Sequence, residues 1–146
     1  MPYAVARGIV DDGRVLVTVE EVRQGPSTPT TVRFRSAVGT AVVLWQGALG
    51  AVGEEHHVEW TVDEDIVWGT NAGPASPAGP TLSQDGDRIV FQGRLNLTED
   101  GAAFLDLGGT SVLFDVAGPA LPDDADGSWI EVRVGQGEVS VWPYRL

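Results

Sequence analysis

The sequence predicts an all-β protein of about ten short antiparallel strands forming small barrels, with no substantial helix. Three observations predict it. Apolar residues recur with period 2 in segment after segment, the spacing that puts one strand face inward and the other outward. Nineteen glycines, many beside Asp or Pro, punctuate those segments as turns. No capped stretch of about ten residues carries apolar side chains at i, i+3 and i+4, so nothing reads as an amphipathic helix.

The elements follow in order. Tyr3 to Val10 is a mixed apolar run closed by Asp11-Asp12-Gly13, and Asp-Gly ahead of a new alternating run signals a hairpin. Val15, Val17 and Val19 alternate with Leu16, Thr18 and Glu20. After the loop Gly25 to Pro29, Val32 and Phe34 point one way and Arg33 and Arg35 the other. Ala41 to Trp45 is continuously apolar, as expected of a strand buried on both faces. Gly47, Gly50 and Gly53 make the next stretch loop-like.

A pivot follows over Gly53 to Gly69, holding both histidines and six acids. Here His56, Val58, Trp60 and Val62 share one face of a strand, and His57, Glu59 and Thr61 the other. Asp63-Glu64-Asp65 is a charged turn before Ile66, Val67 and Trp68. These features define an N-terminal β unit over 1–69. Residues 70–80, with three prolines and two glycines, read as a linker or crossover loop that cannot lie in a central strand.

Residues 81–146 form the second β unit. Ile89, Phe91, Leu95 and Leu97 line one face, with Gly93 where a strand can bend. Ala103, Leu105 and Leu107 alternate with Phe104 and Asp106, and Val112, Phe114 and Val116 with Leu113 and Asp115. Past the loop 118–127, Ile130, Val132 and Val134 alternate with Trp129, Glu131 and Arg133. Val139 and Val141 end the pattern near Pro143, which suggests an edge or a strand end. In strand count, in the bend at Gly93 and in its loop at 118–127, the stretch Asp87 to Leu146 resembles an OB-fold unit, a five-stranded barrel. The resemblance implies a barrel that binds ligands on an exposed strand face. The departure is that the 118–127 loop is proline-containing and too short for the helix often placed there.

Charge narrows the function. Twenty-one acids oppose nine basic residues, all arginine, for a net charge of −12. The acids are spread along the chain, so they make an acidic surface rather than a tail. Such a surface repels phosphate backbones and argues against nucleic acid. It favours solubility and a basic protein partner. With no cysteine there is no disulfide or thiolate site. No apolar run reaches the roughly 18 residues of a spanning helix, and the opening residues lack the pattern of a signal peptide, so a cytoplasmic protein is expected.

Candidate site residues are few. His57 and Glu59 share a strand face, but no further His or Cys cluster completes a zinc site. Asp123, Asp124 and Asp126 before Gly127 resemble the start of a calcium loop, yet the glutamate required eleven positions on is absent, leaving a looser site or an Asp-rich turn. Arg33 and Arg35, with Arg94 and Trp129 or Phe104, form a candidate groove for a sugar, a small ligand or bases. Trp129 and Trp142 fall on outward phases and mark a binding or pairing surface. No nucleophile elbow, P-loop or H-E-x-x-H motif is present.

The expectation is therefore a non-enzymatic protein-interaction module without a cofactor, with homodimerisation through an exposed edge or tryptophan face. Bacterial immunity proteins that neutralise basic nuclease toxins are similar in size, acidity and lack of motifs. The alternatives are a barrel binding a small ligand, sugar or oligonucleotide, and an enzyme with carboxylate or histidine acid–base chemistry.

Overall fold

A computed structural model describes residues 14–48, 51–76 and 79–144. The expected strand Tyr3–Val10 and its Asp11-Asp12-Gly13 turn lie outside the described residues. Eleven strands occur among the described residues: β1 (Arg14–Arg23), β2 (Thr31–Ser36), β3 (Gly39–Trp45), β4 (Glu55–Val62), β5 (Ala72–Pro74), β6 (Thr81–Asp85), β7 (Arg88–Leu97), β8 (Ala103–Asp106), β9 (Ser111–Phe114), β10 (Trp129–Gly135) and β11 (Val139–Tyr144). Among the described residues the helical content is two single 3-10 turns, Asp123–Ala125 and Gln136–Glu138. The protein is all-β, as its periodicity predicts.

Five strands close a barrel. β1 pairs antiparallel with β2 and with β4, β2 with β3, and β4 with β11. The ring shuts where β11 runs parallel to β3, with Ser140 opposite Leu44 and Val141 opposite Trp45. The sequence places a barrel within 81–146; this ring instead draws four strands from the first half of the chain and one from its last described segment. The physical reason is that period 2 specifies which face of a strand is buried but not which strand lies beside it.

The remaining strands continue the same sheet. β3 touches β6 at Gly39 opposite Leu82, and β6, β7, β10 and β5 follow in that order. Between its contacts with β6 and β11, β3 has an unpaired main-chain group, and the Gln84 side-chain oxygen accepts the Val42 N–H at 2.7 Å. The Gln84 amide also reaches Gln136 at 2.6 Å, so one side chain seals the split in the sheet. β3 is not buried on both faces: Ala41, Val43 and Trp45 are buried, whereas Val42 and Leu44 are half-exposed at this divergence.

At Gly93, where the sequence suggests a bend, β7 runs unbroken alongside β10 but changes partner on its other edge. On one edge, β7 pairs with β6 over Arg88 to Gln92 and with β8 over Arg94 to Leu97. A Cβ at Gly93 would collide with the Asp106 carbonyl oxygen, so the crossing needs glycine. Residues 70–80, expected as a linker or crossover, contain β5, whose Gly73 pairs with Glu131. β5 ends the strand path, an edge position that tolerates Pro74.

Alternation in the sequence becomes one contiguous core. Val17, Val32, Phe34, Val58, Phe91, Leu105, Ile130 and Val141 all belong to it, drawn from both halves of the chain. An edge-on series of rings, Phe34–Trp60–Phe91–Phe114, runs from the barrel interior into the second half at centroid spacings of 5.6, 5.5 and 5.5 Å. Such pairs add about 0.5–1.5 kcal/mol each beyond their buried area. The Trp60 indole N–H and His56 Nε2 are buried without a hydrogen-bond partner, and His56 packs edge-on against Trp45 at 5.4 Å.

Candidate functional site

One concave site begins where the pivot stretch ends. After β4 the chain turns through Asp63-Glu64-Asp65, and Ile66 bridges to Val116. Asn71 then organises the next turn from inside. Its side-chain oxygen accepts the Val67 N–H at 2.8 Å, and its amide donates to Glu64 at 3.0 Å and to the Asp65 carbonyl at 2.8 Å. Glu64 in turn accepts the Gly135 N–H at 2.9 Å, which ties the turn to the end of β10. Asn71 is buried, so the network is a rigid one, and it fixes the position of Trp68.

Trp129 arrives from the other direction. It opens β10, opposite Arg94 of β7, and its carbonyl accepts the Ala75 N–H at 3.0 Å just past β5. The Arg94 guanidinium lies 5.7 Å from the Trp129 ring centroid, a cation–π contact. The turn Asp123–Ala125 contributes Asp124 and Ala125 to the lining. Buried Ala125 anchors it, and the Ser128 hydroxyl donates to the Ala125 carbonyl at 2.6 Å. Leu97 N–H donates to Asp126 at 2.9 Å, fastening the same segment to β7.

The result is a cleft of about 340 Å³ lined by Trp68 and Trp129, by Pro74 and Ala75, and by Asp124 and Ser128. Both tryptophans are half-buried and Asp124 is exposed. Asp124 makes no hydrogen bond or ion pair with any other described residue. Of the acids proposed as a calcium loop, Asp126 is committed to Leu97 N–H, and no three metal-ligating side chains converge among the described residues.

The other expected residues are dispersed. Arg33 and Arg35 lie side by side on the outer face of β2, both held by Glu20 of β1, at 3.5 and 2.9 Å. Arg33 also lines a cleft of about 380 Å³ of mixed polarity with Thr40, Ala41, Val42, Ser83 and Gln84, where β3 and β6 part. Neither arginine lines the Trp129 cleft; Arg94 is the arginine that joins Trp129. His57, Glu59 and Trp142 come together on a third surface, the outer face of β4 and β11, with Trp142 opposite Glu59 and Leu16 opposite His57. Trp142 is 51% exposed and Leu16 45%, so this face carries apolar surface in water.

Sequence reasoning missed Trp68, Asn71 and Pro74 as site residues. The available signal was a tryptophan directly before a Gly/Asn turn and a Pro-containing segment, but nothing local links it to Trp129. Comparison with protein-family models, curated proteins and solved structures finds no match for this chain.

Proposed function

We propose that this chain is a non-enzymatic interaction module that binds a basic protein, in the manner of an immunity protein. One observation carries the reading: four of the six arginines whose side chains are described pair with carboxylates of the chain itself, while many acids face solvent unpaired with them. Arg23, Arg33, Arg35 and Arg133 are each engaged by carboxylates of the chain itself, namely Glu21, Glu20, Asp85 and Glu131. Glu54, Glu55, Asp63, Asp65, Asp87, Asp123 and Asp124 are exposed. A surface of one sign raises the encounter rate with the opposite sign and rejects like-charged partners.

The OB-like resemblance is part of this proposal, transferred from 81–146 to the ring of β1–β4 and β11. A closed ring of five strands and a long β1, bulged between Val19 and Glu21 and paired with both β2 and β4, support it. A second reading, a small-ligand barrel, is favoured by the Arg33 cleft and its side chains Thr40, Ser83 and Gln84.

The test is capture of partners by the tagged protein from its host's lysate at low salt and at about 0.5 M salt, where charges are screened beyond a few ångströms. The proposal expects one stoichiometric basic protein that is retained at low salt and depleted at high salt. Retention of no basic protein at either salt shifts the weight to the Arg33 cleft and a small ligand.

A further inference from the structure

We propose that the Trp68–Trp129 cleft is a cation pocket that takes one arginine or lysine side chain of the basic partner. The inference rests on the interaction reading above and names the place where it is anchored. Three features select a cation. Two of the lining residues are tryptophans, the side chains whose ring faces attract cations most strongly. Asp124 is the one charged residue among those lining the cleft. The fold already seats a guanidinium on one of these rings, through Arg94 on Trp129, so the ring's electrostatics suit that group.

A sugar fits less well. Sugar recognition on an aromatic platform needs several directional hydrogen-bonding groups around it. Here the Ser128 hydroxyl proton is taken by the Ala125 carbonyl, Pro74 and Ala75 present no polar side chain, and Asp124 is the one charged side chain in the lining. An anion is disfavoured by the same carboxylate. The pocket is also stiff. Asn71 and Glu64 hold the Trp68 turn, and the Asp126 and Ser128 bonds hold the Asp124 segment, so little ordering accompanies entry of a side chain.

The probe is N-acetyl-arginine amide, titrated into the full chain and read on the five indole N–H signals by NMR, with the uncharged N-acetyl-citrulline amide as control. The expected result is saturable movement of the Trp68 and Trp129 signals alone, with a dissociation constant of about millimolar order for so small a ligand. The citrulline compound should bind about tenfold more weakly or not at all. Asp124→Asn should weaken the arginine probe about fivefold, whereas Asp123→Asn, which removes the same charge beside the cleft, should change it by less than about twofold. Both substitutions are at exposed positions, so folding is not at issue. Equal response to citrulline, uniform movement of all five indoles, or no movement overturns the pocket. A basic partner captured equally by wild type and by Asp124→Asn removes the pocket and leaves the interaction reading standing. Arginine binding at the two indoles with no basic partner captured does the reverse.

Discussion

Asn71 shows most plainly how one side chain shapes the site. Its amide saturates the Val67 N–H, the Asp65 carbonyl and one Glu64 oxygen in a buried turn. Asn71→Ala leaves all three without that partner and should cost about 2 kcal/mol or more, read as a lower urea midpoint at unchanged slope. None of this was legible in the sequence, where Asn71 sits in a segment that reads as a Pro/Gly loop. A second residue-scale effect is electrostatic. The Thr98 hydroxyl donates to the Asp100 carboxylate and, with the backbone N–H groups of Asp100 and Ala102, holds its pKa below the ordinary value. A folded pKa below the unfolded one means that this turn's stabilisation is complete above the unfolded pKa. It disappears as pH falls through the lowered one. An NMR titration should find the Asp100 midpoint low in the wild type and moved up toward the ordinary carboxylate range in Thr98→Val.

At the scale of elements, the strands were legible and their neighbours were not. Val17, Val19, Val32 and Phe34 are buried and Leu16, Arg33 and Arg35 exposed, as alternation requires. Ile130, Val132 and Val134 against Trp129, Glu131 and Arg133 repeat the lesson. A special backbone role for Gly93 was legible because an isolated glycine inside an apolar strand marks a bulge, a bend or a close backbone approach, and the close approach is what occurs. Gly93→Ala should cost about 3 kcal/mol, since the new methyl meets the Asp106 carbonyl. Gly73→Ala in β5, where a Cβ meets nothing within 4 Å, should be nearly neutral. Comparable losses in both variants would contradict the close crossing at Gly93. Pairings such as Leu44 with Ser140 join segments far apart in the chain, and period 2 carries no record of them. The meeting of Trp68 with Trp129 was hidden for the same reason.

At the scale of the molecule, the barrel depends on both ends of the described chain. A fragment of residues 1–69 lacks β11, leaving the facing edges of β3 and β4 unpaired, and should show no cooperative thermal transition by circular dichroism. A sharp transition in that fragment would contradict the shared ring and core. Net charge belongs to the same scale: −12 was readable at once, whereas the ion pairs that engage four of the arginines required the fold. The interaction proposal depends on that surplus acting at a distance. The most direct test is the association rate with the captured basic partner, measured by stopped flow from about 0.05 to about 0.5 M salt. Electrostatic steering predicts an association rate that falls about tenfold or more across that range while dissociation changes far less. An association rate indifferent to salt would contradict the claim that this acidic surface selects its partner.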